Sequence, residues 1–403
     1  MPQTVTLIQH ARVIDPANQR DEVTDIAIEG DSIVALGPEL GPSYPQAVVI
    51  DASGKIVTPG LIDLHVHVMT GFGDFCLPPD YVGVDSGVTT VVDAGTSSTS
   101  LFGMARKGVI DQPDVKTRVL AFMDPCKIYI ATSDFICHKL RIADDENNLD
   151  LEVTKQVVQA NRDVIVGFKV RAACTEKSGP TVSPFLNGAL SVSDDLPVMV
   201  HFGGFPHTPV IPALSVLNAL RPGDIVTHAF RAGSGILDEE NQPLPDYIDA
   251  YQRGVVMDIG HSSGDFHIGT ARHLIELGYK PTTISTDLNA FNHDGPVFTL
   301  TETMSKLWNL GCSLEEVIAM VTSQPARTLH RADSLGALSV GREADITMLS
   351  IEEGAFEFSD GFETMTAPKR LVADGCWRAG TWHTTKHRGA PRVSEPFVYQ
   401  KAG

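Results

Sequence analysis

The sequence predicts an α/β protein: a (β/α)8 TIM-like barrel joined to a small β-sandwich domain built from both chain ends. Three observations carry this. Residues 58–339 alternate buried-looking apolar runs with helical stretches, eight runs in all. Residues 1–57 and 340–403 instead hold short strands with little helical periodicity. Finally, histidines, a lysine and an aspartate recur near the C-terminal ends of the inner runs, where a barrel of this kind builds its active site.

Taken in order, Val5–Gln9, Asp25–Glu29, Ile33–Leu36 and Val48–Ile50 read as strands, with Gly30-Asp31 as a tight turn. The barrel runs follow as Leu61–Val68, Val88–Ala94, Arg118–Met123, Val164–Val170, Pro197–Phe202, Ile225–Phe230, Val255–Ile259 and Thr283–Thr286. Helices are expected over Asp150–Asn161, over Thr270–Leu277 before Gly278, and after the capping box Ser313-Leu-Glu-Glu316, with Pro325 as its stop. Beyond the barrel, Ala344–Leu349 and Arg370–Trp377 read as strands, with Asp374-Gly375 as a hairpin turn. No Gly-x-Gly-x-x-Gly follows the first barrel strand, which argues against a doubly wound open sheet.

Composition sets the bounds. The 403 residues suffice for a barrel of ~250 residues plus a smaller domain. A 42% apolar and 20% charged content is that of an ordinary globular chain. No segment approaches the ~18 apolar residues of a membrane span, and the N-terminus lacks the features of a signal peptide. Six scattered cysteines without Cys-x-x-Cys spacing suit a reduced, cytoplasmic protein. The net charge of −19 disfavours nucleic acid and anionic membranes. The expected partners are a small-molecule substrate and further copies of the chain in a homo-oligomer. Lys386-His-Arg388 reads as a solvated tail.

The chemistry-bearing stretch is Thr58-Pro-Gly-Leu-Ile-Asp-Leu-His-Val-His-Val68. On a strand, His65 and His67 project to one face, and imidazole is a favoured zinc ligand. Lys169 sits inside the apolar run Val164–Arg171, where an unpaired ammonium is costly; a lysine snorkelling at a strand end fits the same letters. A desolvated lysine loses its proton readily and can then take up CO2 as an anionic carbamate. His201 and His228 end the next two runs, and either alone reads more readily as a core histidine than as a ligand. Asp287 ends Thr282-Thr-Ile-Ser-Thr-Asp287, where a carboxylate needs a partner.

In that chain order, the pattern His-x-His, Lys, His, His, Asp resembles the amidohydrolase superfamily, in the subtype with two metals bridged by a carboxylated lysine. The segment Gly336–Asp345 resembles the one that follows the barrel in this superfamily, and Val166-Gly-Phe-Lys-Val-Arg171, Val226-Thr-His228, Met257-Asp-Ile-Gly-His261 and Ser285-Thr-Asp-Leu288 are similar to its deacetylase, or dihydroorotase-like, branch. The resemblance implies two divalent ions, most simply Zn2+. His65, His67 and Asp287 would hold one, His201 and His228 the other, and N-carboxylated Lys169 would bridge them. It also implies a hydroxide nucleophile generated between the ions, with Asp287 as the proton shuttle. Cys76 and Cys174 are bystanders on this reading, and no serine nucleophile is needed.

The substrate is less determined. Pyrimidine dihydroorotases carry an arginine two residues after the second histidine, where this chain has Met69. Arg171 shares a strand face with Lys169 and suits a carboxylate, although a surface ion pair fits it as well. His261 and the Ser262-Ser-Gly264 loop are further candidate contacts. The leading expectation is a hydrolase of an N-acyl or O-acyl bond in a small carboxylate-bearing molecule. The rival is a cyclic amidohydrolase that opens an imide, hydantoin or dihydropyrimidine ring. A metal-free scaffold would lack ligands, and a one-metal deaminase would have no use for Lys169.

Overall fold

The computed structural model describes residues 4–171, 184–203 and 213–390. Strands β1 (Val5–Asp15), β2 (Arg20–Glu29), β3 (Ser32–Gly37), β4 (Val48–Asp51) and β5 (Ile56–Pro59) come first. They are followed by β6 (Leu61–Val66), β7 (Val88–Ser98), β8 (Arg118–Asp124), β9 (Ile165–Arg171), β10 (Val198–His201), β11 (Ile225–Thr227) and β12 (Val256–Asp258). The chain then makes β13 (Ile346–Ser359), β14 (Thr364–Arg378) and β15 (Thr381–Thr384).

β6 to β12 pair in sequence order as one curled, all-parallel sheet. Its edges meet through residues 283–288, which form parallel bridges Asp258–Thr283 on one side and Val66–Leu288 on the other. That segment is the expected eighth run, present as backbone pairing rather than as a regular strand. Helices lie between the strands, as parallel pairing requires. Asp150 caps helix Leu151–Ala160, accepting from Val153 N–H. Leu120, Phe122, Met199, Ile225 and Val256 join Ala326 and Leu329 in one buried cluster beneath the site.

Strands from the two chain ends pair in one eight-stranded sheet in the order β15-β14-β13-β5-β1-β2-β3, with β4 also on β1. β1 is long enough to serve two partners, β4 along Thr6–Gln9 and β5 along Arg12–Val13. The expected sandwich is therefore a single sheet among the described residues.

Local expectations are corrected in three places. Asp374-Gly375 is no hairpin turn. Gly375 faces Met348 and Ala373 faces Leu349, so Asp374 is the extra residue of a bulge inside β14. The chain reverses instead at Ala379-Gly380, whose φ values of 48° and 72° suit a two-residue turn. The capping-box helix ends at Met320 before reaching Pro325, which lies in the first turn of helix Ser323–Thr328. There its missing N–H costs no intrahelical bond. Lys386 is exposed, as expected, but the stretch is anchored rather than a free tail, with Lys386 pairing with Asp85 at 2.9 Å.

Candidate metal centre

The ends of β6, β9 and β10, with residues following β6, β8 and β12, surround a cavity of about 160 Å3. His65, His67, Lys169, His201 and Asp287 line it. Backbone pairing sets the approach. Asp287 N–H donates to His65 O at 2.7 Å and His67 N–H to Leu288 O at 3.0 Å. Asp287 and His228 hold φ values of 53° and 68°, a region that non-glycine residues enter only when their surroundings impose it.

Proton accounting defines two of the imidazoles. Thr227 donates its hydroxyl proton to Asp258 Oδ2 at 2.8 Å, so its oxygen accepts from His65 Nδ1, also at 2.8 Å. His65 Nε2 is then left as a lone pair. His228 Nδ1 lies 2.6 Å from Gly260 O, a pure acceptor, so the proton sits on Nδ1 and Nε2 is bare. His67 Nδ1 meets Thr96 Oγ1 at 2.8 Å, and Asp93 fixes Thr96 by accepting from its N–H at 2.9 Å. Burial, the largest cause, pushes His65 and His201 well below the ordinary histidine range, which favours the neutral form a metal requires.

Asp287 Oδ1 lies 3.1 Å from His67 Nε2 and 3.3 Å from His65 Nε2. Neither Asp287 Oδ1 nor His228 Nε2 has a hydrogen-bond partner, though both are buried. Donor atoms of His65, His228 and Asp287 all lie within 4.8 Å of one another. Lone pairs converging without protons between them repel one another and are costly to bury, and a divalent cation relieves both problems. The donor set therefore fits a metal. The His201 ring packs edge-on to His228 at 4.4 Å between centroids.

Lys169 is almost fully buried, with Nζ 2.9 Å from His65 Nε2 and 3.5 Å from Met199 Sδ. Burial lowers its pKa to about 7, with Asp287 opposing the shift and Arg171 adding to it. Gly95 makes room for it: a Cβ there would stand 2.5 Å from Lys169 Cβ.

Arg171 lines the cavity, but its charge is already matched. Nη1 donates to Asp124 Oδ2 at 2.7 Å, and the guanidinium lies 3.8 Å from the Tyr129 ring centroid. His261 is not brought to the cavity wall. It is fully buried, with Nε2 2.7 Å from Lys306 Nζ. Its neighbour Ser262 lines the cavity instead, with Asp265, Phe75, Tyr129 and Phe135. Cys76 lies 3.9 Å from Thr96 Oγ1, and Cys174 lies outside the described residues.

The sequence reading missed Asp63, Asp93, Asp124 and Asp258, all buried. Each sits in or at the end of an apolar run, so the argument that singled out Asp287 applies to them too. Asp63 accepts from Thr286 Oγ1 at 2.6 Å, and burial raises its pKa to about 7.

The sequence model of the amidohydrolase family matches residues 56–208 and 262–375. A deacetylase of Agrobacterium fabrum is 34% identical over 359 residues, covering 86% of this chain and 83% of that protein. A deacetylase of Brucella anthropi is 34% identical over 93% of this chain and 90% of its own length. The crystal structure of a dihydroorotase superposes with a TM-score of 0.84 at 29% identity, covering 97% of this chain and 100% of that one.

Proposed function

This chain belongs to the amidohydrolase family, and we propose that it cleaves the amide or ester bond of an N-acyl or O-acyl derivative of a small carboxylate-bearing molecule. The supporting observation is the set of inward, unprotonated donors: His65, His228 and Asp287 around one point, with buried atoms left unpartnered. On this reading, His65, His67 and Asp287 hold one divalent ion, and His201 and His228 hold a second. Lys169 serves both as its carbamate, formed when the neutral amine adds CO2 and releases a proton. Bound ions of this kind supply a hydroxide nucleophile at neutral pH and polarise the scissile carbonyl.

The protein's own groups do the rest. Asp287 accepts the nucleophile's proton and passes it to the departing amine or alcohol, so that it leaves neutral. Thr227 and the Gly260 carbonyl keep His65 and His228 in the ligating tautomer throughout, and Thr96 holds the His67 ring in place. Phe75, Tyr129 and Phe135 supply an apolar wall that excludes water from the acyl carbon. Arg171 offers its remaining N–H groups to a substrate carboxylate.

A ring-opening activity on cyclic amides is the second reading, favoured by the structural match to a dihydroorotase. Met69 weighs against a carboxylated pyrimidine, because it is fully buried and apolar where dihydroorotases carry an arginine. Turnover by the zinc-loaded protein of N-acetyl and O-acetyl acids, against hydantoins, imides and dihydropyrimidines, tests the choice. Activity confined to the cyclic amides overturns the acyl hydrolase reading.

A further inference from the structure

We propose that Lys306 is a positioning residue for His228 and for the cavity wall at Ser262, acting through His261; the inference rests on the metal-dependent reading above. Lys306 lies on helix Leu300–Asn309 and is fully buried, as is His261. Its Nζ is 2.7 Å from His261 Nε2 and 2.8 Å from Pro296 O. A lysine only donates here, so His261 Nε2 must accept, and the ring proton is forced onto Nδ1. That proton points at Ser262 O, 2.7 Å away.

The ring of His261 thus ties a buried helix to the turn that follows β12. Ser262 in that turn holds a φ of 52°, a conformation that needs such a tie. Two features of the site depend on where the turn sits. The Gly260 carbonyl, one residue before His261, accepts from His228 Nδ1 at 2.6 Å and so selects its tautomer. Ser262, one residue after, lines the cavity. The space behind Gly260 is already tight, since a Cβ there would stand 2.8 Å from His228 Nδ1. Small displacements of the turn therefore reach the imidazole.

A purely structural role is served better by an apolar chain of the same length, which carries no desolvation cost. Glu302, one helical turn away, is also buried, yet its Oε2 makes no hydrogen bond. The bonds Lys306 does make go to the turn and to the segment leading into its own helix. That arrangement is what a positioning device needs.

The test uses cobalt(II) as probe, added to metal-free full-length protein and followed by the visible bands of the bound ion. Lys306→Met and His261→Phe should each weaken uptake at one of two sites by about tenfold to a hundredfold and shift its bands. Lys306→Met also leaves the buried Glu302 without its neighbouring cation, so its melting temperature should fall, whereas only loss of the tie to His261 moves the cobalt bands. The double variant should be no worse than either single one, because both remove the same tie. It also leaves no unpaired imidazole if a single variant folds poorly. Parent-like cobalt binding in Lys306→Met, or additive losses in the double variant, overturns the proposal while the metal-dependent reading stands. A parent protein that takes up no cobalt overturns both.

Discussion

The Nζ of Lys169 stands 2.9 Å from the Nε2 of His65, with both side chains almost fully buried. An amine so placed is useful when neutral and disruptive when charged, because a cation there competes with any metal on the same imidazole. Lys169→Ala should therefore lose metal and activity together, by roughly a thousandfold in kcat, if it forfeits the several kcal/mol that a metal centre supplies. Lys169→Arg should not recover either, since arginine forms no stable carbamate. Carbon-13 NMR of protein equilibrated with labelled CO2 should show a carbamate resonance that both variants lack. A fully active Lys169→Arg enzyme contradicts the bridging role.

The donor count sets the stoichiometry. Six candidate ligands exceed the four of a tetrahedral zinc site, so elemental analysis of active protein should find two ions per chain. Chelation should abolish turnover while leaving the far-ultraviolet circular dichroism unchanged. The apolar strand faces, with Phe122, Met199 and Ile225 among them, hold the sheet without metal. Full activity with a single ion overturns the two-metal reading.

The candidate ligand positions are legible because they break a pattern: a polar letter ending an apolar run is visible without coordinates. Thr227 and Thr96 were not, because threonine is an ordinary strand residue whose hydroxyl gains meaning only from neighbours 162 and 29 positions away. His261 looked like a substrate contact by the same logic as His228. What separates them is Lys306, on a helix 45 residues later. Asp374-Gly375 carried a turn signal that pairing with β13 overrode, absorbing the extra residue as a bulge.

Thr227→Val tests the relay from Asp258 to His65. It keeps the shape and removes the hydroxyl that sets the His65 tautomer, while Asp258 retains Ser285 and Thr283 as donors. Metal affinity should fall about tenfold to a hundredfold, with little change in melting temperature. Unchanged affinity by chelator competition shows that His65 needs no such partner.

Burial of Lys169 also makes a claim about the metal-free protein. Its folded pKa of about 7 lies below the ordinary 10.5, so between those values the unfolded chain binds the extra proton. Stability therefore rises with pH across that window, and the burial cost is fully felt below pH 7. The upper bound is about 5 kcal/mol, at 1.36 kcal/mol for each pKa unit. Urea unfolding of metal-free protein at several pH values should show the rise, and Lys169→Met should flatten it. Equal slopes for the two proteins dismiss the idea.

Arg171 decides the substrate class. Breaking its pair with Asp124 would strand a buried carboxylate, at a cost of about 3–5 kcal/mol, so Arg171→Met alone confounds folding with binding. Arg171→Met combined with Asp124→Asn removes both charges together. If Arg171 receives the substrate carboxylate, this double variant should raise KM for acidic substrates by the ~1.5–3 kcal/mol of a charge-assisted hydrogen bond, about tenfold to a hundredfold. A neutral substrate with the same scissile bond should be processed nearly as before. The geometry constrains the outcome, because Nη1 is committed to Asp124 and Nη2 lies 3.3 Å from Gly95 O. A carboxylate must then approach from the cavity side, beside Tyr129. Equal losses for charged and neutral substrates would assign Arg171 to holding Asp124 and Tyr129 in place, and the acid would have to be recognised elsewhere along the cavity.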